Sequence, residues 1–258
     1  MQKIAIVMAA GKGTRMKSDL PKVLFPVCGR PMIEFVLDAL EQAGIDRVIA
    51  VIGYRSDLVR QTLAHRKNLE YAEQTEQLGT GHAVMMCREQ LQSHNGPVMV
   101  VAGDCPMIQV DSIRKMFESY TPASPSTQPP ACILGTAHKE NPQGLGRIVR
   151  DAAGEFAGIV EEKDATEEQK KITEVNMSYY IFHSPDLLDA LTHLKTDNSQ
   201  GEYYITDTPL VLKKQDKKVL ALPVLKPIES LGINTIDELK VVEEAIGNCV
   251  RQSEQRKD

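Results

Sequence analysis

The sequence carries no excess of positive charge. Its 258 residues include 30 Lys and Arg against 35 Asp and Glu, which gives a net charge of −5. Proteins that bind nucleic acid usually carry a basic excess, so this class is disfavoured. A small anionic ligand is still compatible with the composition, because a local basic site can exist on an acidic protein.

Paired cysteines and long apolar runs are also missing. The five cysteines are odd in number and contain no CxxC pair, which argues against a disulfide framework or a zinc site. They are Cys28, Cys87, Cys105, Cys132 and Cys249. No apolar run is long enough to span a membrane, and the short apolar start leads into glycines, which favours a first strand over a signal peptide. We therefore expect a cytoplasmic protein.

Buried strands alternate with helices through the first hundred residues. Continuous apolar runs predict strands at residues 4–8, 47–52 and 97–102. Apolar residues at helical spacing predict helices over residues 31–43 and 82–91. This alternation is typical of a parallel, doubly wound α/β sheet.

The pattern changes in the second half. Four prolines within residues 121–131 predict a surface loop, and short strands around a turn at Gly154 predict a hairpin over residues 147–160. No internal repeat is present.

Two later helices have recognisable starts. Ser184 is expected to be an N-cap, with Pro185 at the first helical position. Thr235 and Glu238 match a capping box ahead of a C-terminal helix, whose last residues are expected to fray.

A glycine-containing loop with several cations follows the first predicted strand. The glycines of the segment Gly11-Lys12-Gly13-Thr14-Arg15 let backbone N–H groups approach phosphate oxygens, and Lys22 adds a further cation. A polyphosphate is therefore the expected ligand. The loop is not a dinucleotide fingerprint, which needs glycine where Met16 stands, nor a P-loop, which needs four residues between its glycines. A tight turn that binds nothing is the alternative.

A series of motifs resembles the sugar-1-phosphate nucleotidyltransferases. It starts with the segment 9–16, followed after four residues by Pro21-Lys22. Further matching segments follow in order at residues 74–83, 103–106, 144–148, 159–166, 174–176, 200–207 and 232–234. Together, from about residue 3 to about residue 240, they resemble the uridyltransferase half of the bifunctional N-acetylglucosamine-1-phosphate uridyltransferase / glucosamine-1-phosphate acetyltransferase family.

This resemblance implies a fold and a reaction. The fold is a Rossmann-like, doubly wound mixed sheet of the nucleotide-diphospho-sugar transferase type, with an inserted acceptor-binding lobe. Residues 1–227 would form the transferase domain, and residues 228–258 a metal-ligand turn and a helical arm. The reaction is transfer of UMP from UTP to N-acetylglucosamine 1-phosphate with Mg²⁺, which gives UDP-N-acetylglucosamine and pyrophosphate.

The resemblance also implies roles for individual residues. Arg15 and Lys22 would offset charge on the phosphates during catalysis. Asp104 and Asn234 would hold Mg²⁺, an ion that prefers oxygen ligands and keeps several waters. The implied nucleotide-binding residues are Ala9, Ala10, Gly11, Gly13, Thr14, Gln74, Gly79 and Thr80. The implied sugar-binding residues are Gly103, Gly146, Glu161, Asn176, Tyr203 and Thr206.

The chain departs from the family pattern in two respects. Family members usually continue into a β-helix of hexapeptide repeats that carries the acetyltransferase, and no such period appears here. We therefore expect neither acetyltransferase activity nor the β-helix trimer, and the oligomeric state stays open. In addition, Ala102 stands where an aromatic residue is common, and Met177-Ser178 stands where Thr-Gly is usual.

Two other functions stay open at this point. One is nucleotidyl transfer to another sugar 1-phosphate, such as glucose 1-phosphate. The other is a regulatory subunit that binds a nucleotide sugar without catalysis, which the presence of Arg15, Lys22, Asp104 and Asn234 disfavours. The expected partners are UTP and a sugar 1-phosphate, with neither nucleic acid nor a membrane.

Overall fold

The computed structural model describes residues 1–16, 18–121 and 128–254, with side chains up to residue 247. The strands are β1 (Ile4–Ala9), β2 (Pro26–Val27), β3 (Arg30–Pro31), β4 (Arg47–Ile52), β5 (Leu69–Glu73), β6 (Pro97–Ala102), β7 (Cys132–His138), β8 (Arg147–Arg150), β9 (Phe156–Val160), β10 (Glu174–His183) and β11 (Val219–Leu222). The helices are α1 (Met32–Gln42), α2 (Ser56–Thr62), α3 (Thr80–Met85), α4 (Arg88–Leu91), α5 (Val110–Tyr120), α6 (Glu167–Lys170), α7 (Ser184–Leu191), α8 (Thr208–Lys214) and α9 (Ile236–Glu254).

The main sheet is mixed, as the family resemblance implies. Its strand order is β11-β7-β10-β6-β1-β4-β5, and the hairpin β8–β9 joins it through β10. Strands β6, β1, β4 and β5 are parallel to one another, but β10 runs antiparallel to both β6 and β7. The parallel sheet expected from the alternation of strands and helices is confirmed for β1, β4, β5 and β6. Beyond β6 the sheet is mixed, where that alternation has ended.

Helices cover both faces of this sheet. On one face, Ile33 and Val36 of α1 pack in a core cluster with Met116 of α5. On the other face, Val84 of α3 packs in a second cluster with Leu187 of α7. Burying an apolar side chain of this kind stabilises the folded state by roughly 1.5–3 kcal/mol relative to leaving it exposed to water. The strands between the two clusters are buried on both faces, which explains why β1, β4 and β6 are continuous apolar runs.

Two helix predictions need correction. The single helix expected over residues 82–91 is two helices, because the Cys87 N–H donates to the Val84 carbonyl at 3.0 Å and tightens the turn between α3 and α4. Ser184 is the first residue of α7 and not its side-chain cap. Its Oγ is buried without a hydrogen-bond partner among the described residues, while its N–H donates to the Gly96 carbonyl at 2.9 Å.

Other local predictions are confirmed. The hairpin β8–β9 turns at Gly154, whose φ is +81°. In the capping box of α9, the Thr235 N–H donates to Glu238 at 2.9 Å and the Glu238 N–H donates to Thr235 Oγ1 at 3.2 Å. Most of the predicted loop at 121–131, namely residues 122–127, and the end of the chain at 255–258 lie outside the described residues.

Two further observations concern membrane-spanning helices and cysteine pairing. In the described part of the chain, no helix combines the length and the apolar character needed to cross a lipid bilayer. Cys28, Cys87, Cys105 and Cys132 are free thiols.

Candidate active site

The loops that follow the parallel strands β1, β5 and β6 meet at the carboxyl edge of the sheet. This is the edge at which open α/β sheets bind ligands. A cavity of about 310 Å³ opens there. Its lining includes Ala9, Ala10, Gly11, Lys22, Gln74, Gln77, Gly79, Thr80, Asp104 and Glu202.

The phosphate loop lies close against Lys22. Gly13 has a φ of +70°, and a Cβ placed on it would lie 2.8 Å from Lys22 Cβ, so a larger residue would push Lys22 away. The Lys22 N–H donates to the Gly11 carbonyl at 3.4 Å. The ammonium of Lys12 lies 5.1 Å from the centre of the Tyr54 ring, a cation–π contact. The glycine loop therefore packs directly against Lys22, whereas the ammonium of Lys12 lies against Tyr54.

Residues 74–83, which the family resemblance implies to be a base-reading segment, are held by a second chain segment. Gly79 has a φ of +106°, and a Cβ on it would lie 2.5 Å from the Tyr203 carbonyl oxygen. The Gly81 N–H donates to that same carbonyl at 2.7 Å, and Thr80 Oγ1 accepts the Ile205 N–H at 3.1 Å. These contacts fix the wall of the cavity that Gly79 and Thr80 form.

Gln74 lies at the end of this wall, directly after β5. Its side chain is 4% exposed, and Nε2 donates to the Gly79 carbonyl at 3.0 Å and contacts His82 Nδ1 at 3.1 Å. The amide of Gln74 is thus held in one orientation beside the cavity. Because Nε2 is engaged by Gly79 and His82, Oε1 is the atom through which this fixed amide is suited to accept a hydrogen bond from a base edge.

The two predicted metal ligands and the two predicted catalytic cations form one cluster. The ammonium of Lys22 forms an ion pair with Asp104 Oδ2 and donates to Asn234 Oδ1 at 2.7 Å. Arg15 Nη2 donates to Asn234 Oδ1 at 3.0 Å. The side chains of Lys22 and Asp104 are only 14% and 23% exposed, so water screens their attraction only in part.

The chain segment before α9 brings Asn234 to this cluster. The Ile233 N–H donates to the Asp104 carbonyl at 3.1 Å, and Glu238 Oε2 accepts the Asn234 N–H at 2.7 Å. Two residues more than a hundred positions apart in the chain thus become neighbours. Glu238 therefore acts both in the capping box and as the anchor of Asn234.

A second cavity of about 700 Å³ adjoins the first. Both cavities are lined by Ala102 and Asp104. Other residues of the second cavity include Cys105, Lys139, Gln143, Leu145, Asn176, Ser178, Asn234 and Glu238. Because Asp104 lines both, groups bound in the two cavities would meet beside its carboxylate.

Three predicted sugar-binding residues lie together in the inserted lobe. A Cβ placed on Gly146 would lie 3.4 Å from Glu161 Oε1, and the Asn176 N–H donates to the Gly146 carbonyl at 2.8 Å. Asn176 is 6% exposed, and its Nδ2 donates to the Tyr180 hydroxyl at 2.9 Å. Burial raises the pKa of Glu161, and the nearby carboxylates of Asp207 and Asp164 raise it further.

One departure from the family pattern lies beside Asn176. Ser178 has a φ of +58°, a conformation that favours glycine, and it occupies a bulge between Asn176 and Tyr179. Its N–H donates to Asn176 Oδ1 at 3.2 Å. Serine is therefore accommodated at some cost in backbone strain, and it also restrains the asparagine side chain.

The other predicted sugar-binding residues lie elsewhere. The Gly103 N–H donates to the Met8 carbonyl at 2.9 Å, which places Gly103 beside β1. Tyr203 packs on the base-reading segment, with its ring centre 6.5 Å from that of His82. Thr206 lies in the 3-10 turn Ile205–Asp207, next to the Asp207 that affects Glu161. A contact of these three residues with a sugar stays a prediction.

Sequence reasoning did not single out several residues of the site. Gln77 Nε2 donates to the Ala10 carbonyl at 2.8 Å and so joins the base-reading segment to the phosphate loop. Glu202 lines the first cavity. Gln77 lies within the matching segment 74–83, and Glu238 belongs to the predicted capping box. No local sequence pattern indicates Tyr180, whose hydroxyl contacts Asn176.

Comparisons with known proteins find relatives over most of the chain. The family model described as the MobA-like NTP transferase domain matches residues 5–208. "Bifunctional protein GlmU" of Enterococcus faecalis is 42% identical over 232 residues, which cover 90% of this chain and 49% of that protein. The protein of the same name from Clostridium beijerinckii is 44% identical over 250 residues, which cover 97% of this chain and 53% of that protein. The chain thus spans about half the length of these curated relatives.

A solved structure shares the fold. It is a UDP-glucose pyrophosphorylase complexed with UDP-glucose, which superposes with a TM-score of 0.75 at 20% sequence identity. The superposition covers 96% of this chain and 99% of the other. The nucleotide-diphospho-sugar transferase fold implied by the sequence is therefore confirmed.

Proposed function

We propose that this chain, which belongs to the MobA-like NTP transferase domain family, transfers UMP from UTP to N-acetylglucosamine 1-phosphate. The products are UDP-N-acetylglucosamine and pyrophosphate. The observation that carries the proposal is the cluster of Lys22, Asp104, Asn234 and Arg15 at the junction of two cavities. The family resemblance of the motifs supplies the identity of the two substrates.

The chemistry is a single in-line displacement. A phosphate oxygen of the sugar 1-phosphate attacks the α-phosphorus of UTP, and the bond from that phosphorus to the pyrophosphate oxygen breaks. No covalent intermediate with the enzyme is needed. Arg15, Lys22 and the N–H groups of the phosphate loop offset the negative charge on the α-phosphate and the leaving pyrophosphate.

The residues at the junction fit a magnesium ion. Asp104 and Asn234 offer a carboxylate and an amide oxygen, and both oxygens already converge on the single cation of Lys22. When bound, Mg²⁺ supplies Lewis-acid polarisation of the phosphates. Because Lys22 already pairs with oxygens of both residues, a bound Mg²⁺ would compete with its ammonium for them, and an ammonium displaced in this way would be available to phosphate.

The proposal extends to specificity and location. Glu161, Asn176 and Gly146 are proposed to hold the acetamido sugar, and the wall formed by Gln74, Gly79 and Thr80 is proposed to hold uracil. A cytoplasmic location without nucleic-acid partners is part of the same proposal, and the charge balance and free thiols support it.

The decisive test is an assay of pyrophosphate release with UTP and a panel of sugar 1-phosphates. Asp104→Asn should abolish turnover at ordinary Mg²⁺ concentrations, because it removes the fixed carboxylate at the junction. The matched control is Asp111→Asn, which changes an exposed carboxylate on α5. Normal turnover of Asp104→Asn would rule out the proposed role of this site.

The choice of acceptor is tested in the same assay. With UTP saturating, we expect N-acetylglucosamine 1-phosphate to exceed glucose 1-phosphate in kcat/KM by at least about tenfold, because lost polar contacts cost more than changes in an apolar wall. Equal values would show that Met177 and Ser178, rather than Asn176 and Glu161, set the choice.

A further inference from the structure

Arg147 is a buried arginine that joins three segments of the inserted acceptor lobe, residues 144–176. Its side chain is 2% exposed. Nη1 donates to the Leu145 carbonyl, Nη2 donates to the Lys170 carbonyl at 3.4 Å, and Nη2 forms an ion pair with Glu162 Oε2 at 2.6 Å. The guanidinium thus connects the loop before β8, the turn after β9 and the last residue of α6.

Glu162 holds the same loop at a second point, so that Arg147 and Glu162 together form a clamp. Its Oε2, the atom that meets Arg147, also accepts the Gly144 N–H at 3.2 Å. Hydrogen bonds from Arg147 and Gly144 hold the pKa of Glu162 below its ordinary value, so the carboxylate is charged at neutral pH. The loop is therefore held on both sides, at the Gly144 N–H by Glu162 and at the Leu145 carbonyl by Arg147.

The three clustered candidates for sugar binding are attached to this clamp. Gly146 lies between Leu145 and Arg147 in the chain, and Glu161 directly precedes Glu162. Asn176 is bound through its N–H to the Gly146 carbonyl at 2.8 Å. Arg147 itself pairs with Val160 and Val175 in the sheet. A shift of the guanidinium would therefore move the backbone that carries all three.

We infer that Arg147, held by Glu162, is a positioning residue that sets the geometry of the acceptor sugar site. The inference rests on the proposed function. Arg147 does not line the first cavity, where the implied nucleotide-binding residues lie and whose wall is built from residues of other elements. The clamp should therefore affect binding of the sugar 1-phosphate and leave binding of UTP nearly unchanged.

Arg150 offers a matched control on the same strand. It also forms an ion pair with a carboxylate, Glu174, at 2.6 Å, and it also donates to backbone carbonyls, those of Gly154 and Ala221. These contacts tie together other parts of the lobe and do not involve residues 144–146. Arg150→Lys therefore disturbs an arginine–glutamate pair of the lobe without touching the clamp.

The kinetic test compares Arg147→Lys, Glu162→Gln and Arg150→Lys. We expect Arg147→Lys to raise the KM for the sugar 1-phosphate by about tenfold or more, since small displacements of binding groups have large effects. The KM of Arg147→Lys for UTP should change by less than about twofold. In Arg150→Lys, the KM for UTP and the KM for the sugar 1-phosphate should each change by less than about twofold. Glu162→Gln should raise the acceptor KM by a smaller factor. Equal rises in both KM values, or an unchanged acceptor KM in the two clamp variants, would overturn the inference.

A second measurement separates this inference from the proposed function. Hydrogen–deuterium exchange of the free protein should be faster at residues 144–146 in Arg147→Lys and Glu162→Gln than in the wild type, and unchanged there in Arg150→Lys. This readout needs no turnover, and Glu162→Gln keeps it informative if Arg147→Lys fails to fold, because Glu162 is 29% exposed. Unchanged exchange in a folded clamp variant would refute positioning even if the enzyme is active. A wild type that turns over no sugar 1-phosphate would instead refute the proposed function.

Discussion

At the scale of single residues, the cation cluster shows how much the sequence could reveal. Arg15, Lys22, Asp104 and Asn234 were each predicted from their motifs, and the structure brings all four together. Their mutual contacts were not predictable, because up to 219 positions separate them in the chain. The sequence therefore predicted the four residues of this cluster. It did not predict that Lys22 pairs with the oxygens proposed for Mg²⁺.

This contact leads to a prediction about Lys22. Replacing it by methionine should strengthen binding of a divalent cation to the free protein, because Asp104 and Asn234 lose a competing cation. We expect the dissociation constant for Mn²⁺, measured by electron paramagnetic resonance without nucleotide, to fall by about tenfold, which corresponds to about 1.4 kcal/mol. Turnover should nevertheless decrease, because Lys22 is also needed at the phosphates.

The control for this measurement is Lys217→Met, a lysine paired with Asp186 away from the site. Its Mn²⁺ affinity should equal that of the wild type. Weaker binding of Mn²⁺ to Lys22→Met than to the wild type would show that Lys22 supports the cation site instead of competing for it.

At the scale of elements, local patterns predicted strands well and their pairing less well. The apolar runs of β1, β4 and β6 were recognised because both of their faces are buried. The direction of β10 was not predictable, since its partners β6 and β7 are set by tertiary packing and not by neighbouring residues. The break between α3 and α4 was missed for a similar reason, because the apolar spacing continues across it.

The capping box of α9 allows a prediction about stability. Thr235→Ala removes the acceptor of the Glu238 N–H, so the free energy of unfolding should fall by about 1 kcal/mol. Urea denaturation followed by circular dichroism measures this change. Glu244→Ala, an exposed position of the same helix, is the control and should change stability by less than about 0.5 kcal/mol. An equal loss in both variants would mean that the hydrogen bond of the cap makes no specific contribution to stability.

At the scale of the whole molecule, the segment before α9 closes the site and is itself anchored by a buried carboxylate. Glu229 is fully buried and accepts the Gln109 N–H at 3.0 Å, the Ser112 hydroxyl at 2.6 Å and the Lys226 N–H at 2.8 Å. These contacts connect the 3-10 turn Pro227–Ser230 to α5. The position of Asn234 beside Asp104 therefore depends on a buried anchor outside the cluster of Arg15, Lys22, Asp104 and Asn234.

Glu229 also gives a prediction about pH. Burial raises its pKa in the folded protein, although the three hydrogen bonds oppose this shift. As pH falls from neutral toward the ordinary glutamate pKa of about 4.3, the folded state takes up a proton before the unfolded state does, so this group adds stability. Glu229→Gln removes the titration. The free energy of unfolding of the wild type, measured relative to Glu229→Gln in urea, should therefore increase between pH 7 and pH 5.

Taking this difference between two proteins cancels the titration of all other groups that the substitution leaves unchanged. The same comparison with Glu118→Gln, an exposed carboxylate on α5, should give a difference that varies much less with pH. If the wild type instead loses stability relative to Glu229→Gln as the pH falls, the hydrogen bonds outweigh burial and Glu229 is anchored as a stabilised anion. The C-terminal segment would then be held most firmly at neutral pH, and the arrangement of Asn234 and Asp104 would weaken in acid.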